Sequence, residues 1–189
     1  MKAVMISIQP KWCELIASGK KTVEVRKTKP KLETPFKCYI YETKDKQFEN
    51  IGVCGWKADG TAYNYIHNGG KVIGEFVCNA IISHCEMANA DIAEIQGCIK
   101  REKLLEYSNG KELYGWHISD LVIYDKPKEL SEFYQNGKSG DTFYYDYCAG
   151  CPHHETPVGE YPCNECDGNR KYLYSPPQSW CYVEERSNR

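Results

Sequence analysis

The sequence predicts an α+β fold: a small mixed β-barrel with flanking helices, interrupted near its C-terminus by a cysteine-rich insertion. Three observations carry this. Short segments rich in Val, Ile and aromatic residues recur along the first 134 residues, with two helical segments among them. Apolar periodicity disappears over residues 135–176, where Gly, Pro, Asp, Tyr and Cys dominate. A strand pattern returns at 178–184 and is placed to complete the main sheet. The barrel is therefore assigned to residues 1–134 plus 177–185, and the insertion to 135–176.

Residues 2–8 alternate weakly and are rich in Val and Ile, which predicts a strand. Pro10 opens a short helix to Ser18, because proline is tolerated in the first turn. Trp12, Leu15 and Ile16 give that helix its apolar stripe, and Gly19 is placed to stop it in the left-handed conformation. Residues 21–26 alternate again, and Lys27 to Pro35 forms a polar loop with two prolines. Phe36 to Thr43 is a third strand. The glycines and aromatics of 44–70 suggest a long hairpin or a partly ordered excursion. Lys71 to Ser83 reads as a long strand bent at Gly74, and Asn89 to Tyr107 as two helical pieces joined at Gly97. Tyr114 to Tyr124 reads as another strand, which Pro127 should end, followed by a short helical turn over 128–134.

Composition narrows the function. Of 189 residues, 41% are hydrophobic and 26% charged, which excludes a wholly disordered chain. The formal charge of −2 excludes a uniformly basic coat. No apolar run approaches the roughly 18 residues of a membrane span, and the N-terminus lacks a secretory h-region, so a cytoplasmic protein without a membrane partner is expected. Eleven cysteines, an odd number, fit a disulfide framework poorly. Seven are scattered among apolar neighbours (Cys13, Cys38, Cys54, Cys78, Cys85, Cys98 and Cys181) and read as small core residues.

The other four are patterned. Cys148-x2-Cys151 and Cys163-x2-Cys166 are two CxxC pairs separated by 11 residues, the spacing of a structural tetrahedral zinc site in a zinc-ribbon-like loop. Metal binding would supply the folding free energy that a core-poor segment lacks. Four thiolates leave no open coordination position, so such a zinc is structural. Tyrosines surround the pairs, with Arg170 and Lys171; they are expected to pack this module, the alternative being to stack bases and hold phosphate, and the module could also contact a protein partner.

Residues 11–31 hold seven basic and two acidic side chains, a local +5 in a chain of net −2. Such a stripe is a candidate anion or phosphate site. Residues two apart on a strand share a face, so Thr22, Glu24 and Arg26 lie together while Val23 and Val25 face the core. Strict alternation would send Lys21 coreward. It joins Glu24 and Arg26 only if the chain after Gly19 is still a turn or bulge, which is the expectation. Arg26 suits a phosphate or a developing oxyanion, Lys21 an amine base or nucleophile, and Glu24 a proton acceptor. Lys21 and Glu24 are thus the catalytic candidates if the chain is an enzyme. Glu75, Trp116 and His117 are further ligand-binding candidates beside Lys21, Glu24 and Arg26.

Gly19-x-Lys21-x-x-Glu24-x-Arg26, after a strand and a short helix, resembles the GxKxxExR signature of the ASCH domain, within the PUA-like superfamily of small β-barrels. Residues 70–76, 114–119 and 177–184 resemble later strands of the same family. The resemblance implies a PUA-like barrel and an RNA or modified-nucleotide ligand held by Lys21, Glu24 and Arg26. A small bacterial ASCH-type amidohydrolase that removes acetyl groups from acetylated cytidine is similar at Lys21 but has Thr where this chain has Glu24. Other ASCH proteins look like ribonucleases. A hydrolase in the same pocket, either a nucleoside amidohydrolase or a ribonuclease, is therefore the alternative. A zinc-stabilised protein-interaction module is the third reading.

Overall fold

The computed structural model describes residues 3–83, 91–136, 170–173 and 175–185. The zinc candidates Cys148, Cys151, Cys163 and Cys166 lie outside the described residues.

The chain begins with β1 (Ala3–Ile8), all six residues of which are buried. This strand is covered on both edges, pairing parallel with β3 (Phe36–Glu42) and antiparallel with β10 (Trp180–Glu185). Helix α1 (Pro10–Ala17) starts on its proline and buries Cys13, Ile16 and Ala17. Gly19 follows at φ +73°, the left-handed geometry expected of a helix-stopping glycine. Strand β2 (Val23–Arg26) comes next. The 44–70 region forms a 3-10 turn (Lys46–Phe48) and an antiparallel arm of β4 (Gly52–Trp56) and β5 (Ala62–Ile66), as the glycines and aromatics suggested.

β6 (Val72–Ile82) is the long strand expected, and its pairing with β7 (Tyr114–Lys128) shifts register three times. A Cβ at Gly74 would collide with the Val122 carbonyl, so the two strands approach closely there. The helical stretch is indeed in two pieces, a π-helical turn (Asp91–Gln96) and α2 (Arg101–Ser108), with Gly97 between them. One expectation is corrected: Pro127 does not end the strand, because β7 runs on to Lys128, which pairs with Val72. A 3-10 turn (Leu130–Glu132), β8 (Phe133–Asn136) and β9 (Arg170–Tyr172) complete the described elements.

The main sheet is mixed and eight-stranded, in the order β2-β7-β6-β3-β1-β10-β8-β9. Among the described residues strands dominate and helices are few. Among the described residues β2 and β9 are the two ends of this order, and no pairing joins them into a closed barrel.

Strand alternation sorts the core onto two faces. Val4, Ile6, Cys38, Ile40, Phe76, Cys78 and Trp116 pack under α1 and the β4–β5 arm. Met5, Tyr39, Tyr41, Val72, Phe133 and Val183 form the other face. A third cluster joins Val23 and Val25 of β2 to Ala93 and Leu104 of the helical stretch. Cys13, Cys38 and Cys78 are core residues as expected, and burial pushes the Cys78 thiol up to about 12. Cys54 departs from the expectation, since it is exposed on β4.

Candidate functional site

The signature residues converge. β2 begins only at Val23, so Lys21 precedes the regular strand and escapes its alternation. The Lys21 amide donates to the Leu15 carbonyl at the end of α1 (2.9 Å), and the Thr22 amide to the Gln96 carbonyl (2.9 Å). This turn brings the Lys21 side chain onto the Glu24 face. Its Nζ lies 3.5 Å from Glu24 Oε2, and an Arg26 terminal nitrogen lies 3.1 Å from Glu24 Oε1.

All three groups are buried: Lys21 is 2% exposed, Glu24 6% and Arg26 9%. Main-chain acceptors hold the cations, as buried charges require. Lys21 Nζ donates to the Gly97 carbonyl (2.6 Å), at the junction of the two helical pieces. Arg26 donates to the Ser7 carbonyl of β1 (2.5 Å) and to Ser179 Oγ before β10 (3.4 Å). The Trp12 ring centroid lies 5.0 Å from Lys21 Nζ. Two cations share one carboxylate, leaving the cluster at +1. Among the described residues, Arg26 Nε is buried without a hydrogen-bond partner.

The other candidates divide. Trp116 stands directly opposite Glu24 across the β2–β7 ladder and so shares its face. It is fully buried, edge-on to Phe36 and Trp180, and forms a wall of the site rather than an open stacking surface. His117 stands opposite Val23, turned the other way, and meets Asn79 Oδ1 at 2.7 Å. Glu75 stands opposite Tyr39, on the other face of the sheet, where it binds Lys37 (2.7 Å) and the Tyr124 hydroxyl (2.5 Å). Those contacts hold its carboxyl below the usual range against the opposing cost of burial. The structure thus brings together Lys21, Glu24, Arg26 and Trp116, but not His117 or Glu75.

Two features escaped sequence reasoning. The first is a rim of exposed lysines set on aromatic rings. Lys27 Nζ lies 4.7 Å from the Tyr107 ring and Lys29 Nζ 5.2 Å from that of Tyr114. Trp180 donates to Thr28 (2.9 Å), and the Lys31 amide donates to the Tyr182 hydroxyl (2.7 Å). Tyr107 is 40% exposed, and its hydroxyl feels both Arg26 and Glu24. Partial burial, the largest influence, raises its pKa, while Arg26 lowers it and Glu24 raises it. The basic composition of 27–31 was a signal for the cations, but nothing local marked Tyr107.

The second is a buried polar knot. Glu42, fully buried, accepts from the Tyr65 hydroxyl (2.9 Å) and the Asn68 amide (2.5 Å), and its Oε1 lies 2.6 Å from His67 Nδ1. The knot ties the β4–β5 arm to β3. Burial and the neighbouring Cys13 and Glu42 raise the Tyr65 pKa, so the phenol stays a donor. Burial, then Glu42 and Glu24, push the Cys13 thiol well up, against smaller lowering by Tyr65 and Arg26.

A cavity of about 500 Å3 on the opposite face is lined by Tyr41, Lys44, Glu129, Leu130 and Leu173 among others. Among the described residues no group of three or more His, Cys, Asp or Glu side chains is arranged to hold a metal ion. No helix there is long and apolar enough to cross a membrane.

Comparison with known proteins bears on this arrangement. The family model described as the ASCH domain matches residues 6–132. No curated protein matches the chain. The crystal structure of ASCH from Zymomonas mobilis superposes with a TM-score of 0.53 at 18% identity, covering 96% of this chain and 87% of that one. A tyrosine-to-phenylalanine mutant of that protein gives 0.54 at 18% identity, covering 97% and 91%. At that identity the likeness shows the fold.

Proposed function

The chain belongs to the ASCH domain family, and from that premise we propose that it binds RNA or a modified nucleotide through Lys21, Glu24 and Arg26. The observation that carries the reading is the burial of an amine, a carboxylate and a guanidinium in one cluster of net charge +1. Desolvating three charges costs several kcal/mol per ion, and well-packed apolar residues often hold a corner as well or better. Charges kept in such a place are explained by a ligand that needs them. Arg26 retains a buried N–H without a partner among the described residues, a donor that a phosphate or carbonyl oxygen would satisfy. The lysine and aromatic rim at Lys27, Lys29, Tyr107 and Tyr114 suits backbone phosphates and stacked bases.

A second reading has its own support. Lys21 Nζ and Glu24 Oε2, 3.5 Å apart, are an amine and a carboxylate within reach of one reacting group. A hydrolase at the same site, acting on a modified nucleoside or on RNA, would use them. Incubation with acetylated cytidine and with unstructured RNA, followed by product analysis, separates the two. Binding without turnover supports the first reading, and turnover lost in Glu24→Gln with binding kept supports the second. Neither binding nor turnover would overturn both and leave the protein-interaction reading. A structural zinc at Cys148, Cys151, Cys163 and Cys166 and a cytoplasmic location belong to this proposal, on the spacing and composition already given.

A further inference from the structure

The β4–β5 arm is anchored on one face and bare on the other. Its inner face carries Val53, Gly55, Tyr63 and Tyr65. Tyr65 is bound to Glu42, and Tyr63 packs on the core beneath α1. Gly55 is what lets the Tyr63 ring lie close, since a Cβ there would sit 2.9 Å from that ring. The outer face carries Trp56, 74% exposed, with Ile66 at 52% and the adjoining Ile51 at 45%. Trp56 pairs with Ala62 across the ladder, so no large side chain covers the indole from the partner strand.

The arm's turn sits beside the signature. Lys57 follows Trp56, and its side chain reaches to within 3.9 Å of where a Gly19 Cβ would stand. That approach sets the arm's tip against Gly19, the residue that precedes Lys20 and Lys21. Among the described residues no carboxylate lies within 4 Å of the Lys20 or Lys57 amine, and Lys11 lies 4.7 Å from the Trp12 ring on the exposed side of α1. The acidic group at the tip, Asp59, is engaged within the turn, accepting from the Thr61 amide (2.9 Å). Its carboxyl is held low first by its hydrogen bonds to Thr61 and to a lesser degree by Lys57.

An uncovered indole beside a turn whose Lys57 side chain reaches toward Gly19, within the locally basic 11–31 stretch, matches one chemistry: a flat base on a phosphate backbone. We infer that the tip of the β4–β5 arm extends the binding site, with Trp56 on its outer face stacking a base of single-stranded nucleic acid and Lys57, on the side turned toward Gly19, meeting with Lys20 the phosphates that pass around the tip. This rests on the nucleotide-binding reading and adds that the ligand is a strand of several nucleotides rather than a single one. A protein partner would be expected to use the larger apolar residues together, but Gly52, Cys54, Ala62 and Asn64 break the face into one isolated aromatic.

The test uses the full chain, a labelled single-stranded RNA of roughly ten nucleotides, within the usual site sizes, and cytidine monophosphate as the single-nucleotide probe. Trp56→Ala is expected to weaken oligonucleotide binding by about 5- to 150-fold, the range for loss of one stacked base. Mononucleotide binding should be unchanged, and Trp56→Phe should recover most of the loss. Unchanged oligonucleotide affinity in Trp56→Ala, when the parent chain binds both probes, would overturn the arm's role and leave the signature site standing. If the parent chain binds neither probe, both readings fall together. A dimer that dissociates in Trp56→Ala, with oligonucleotide affinity unaltered, would assign the face to a second copy of the chain instead.

Discussion

Replacing Glu24 by Gln tests whether the signature cluster is a buried charge assembly. The substitution keeps shape and an acceptor oxygen but removes the one negative charge between Lys21 and Arg26. At an effective dielectric near 20, separations of 3.5 and 3.1 Å correspond to about 5 kcal/mol of attraction each. Mutual repulsion of the two cations and the cost of desolvation offset much of this. Removing one partner of a buried pair typically costs about 3–5 kcal/mol, and that is the expected loss. At about 2–4 °C per kcal/mol for a chain of this size, Tm should fall by roughly 6–20 °C. Urea unfolding followed by tryptophan fluorescence would measure the loss, with an unchanged slope showing that the native state is otherwise intact. The same variant, still folded at low temperature, carries a cluster of +2 and should bind RNA more tightly. A loss below about 1 kcal/mol, the range of solvated surface pairs, would refute the burial argument. A full loss of stability with both RNA affinity and turnover unaltered would make the cluster purely structural.

Further outcomes follow from other parts of the fold. In the native protein, exposed Cys54 should be alkylated at neutral pH while buried Cys13, Cys38 and Cys78 are not, as mass mapping would report. Burial raises all three of those thiols above 9.0, Cys78 to about 12. The unfolded chain therefore loses protons first above pH 9, and stability should decline from there toward pH 12, which urea melts across that window would check. Gly74→Ala, whose Cβ would meet the Val122 carbonyl, should destabilise by about 1–3 kcal/mol. Metal analysis of the purified chain should find one zinc per molecule, and a chelator should open the segment between β8 and β9 to proteolysis while leaving the sheet resistant.

Much of the fold was readable because local chemistry and tertiary structure agree. Pro10 and Gly19 bracket α1, and Gly97 separates the two helical pieces. The departure of Lys21 from alternation followed from residue types alone, since a lysine pointed into an apolar core would be left without partners. Pro127 misled because proline lacks an amide donor, yet β7 carries its ladder to Lys128 regardless.

The site was less legible because period-two patterns tell which residues share a face but not which face holds the site. Glu75 and His117 lie on strands of the right sheet, and each is turned away by one step of alternation. The Glu42–His67–Tyr65 knot joins β3 to residues more than 20 positions away, so no spacing could announce it, and nothing local set the Tyr107 ring beside Lys27. Trp56 looked like one aromatic among several, and only the arm's register with Ala62 distinguishes it from the inward Tyr63 and Tyr65.

The most direct measurement is a salt titration of RNA binding, read by fluorescence anisotropy, for the parent chain and for Lys21→Met, with near-ultraviolet circular dichroism establishing that both are folded. The account expects the parent's affinity to fall linearly with the logarithm of salt. Lys21→Met should bind at least tenfold more weakly, and its slope should be smaller by about 0.7 for each single-strand phosphate that the lysine neutralises in the parent. Equal affinity and equal slope in two folded proteins would contradict the account.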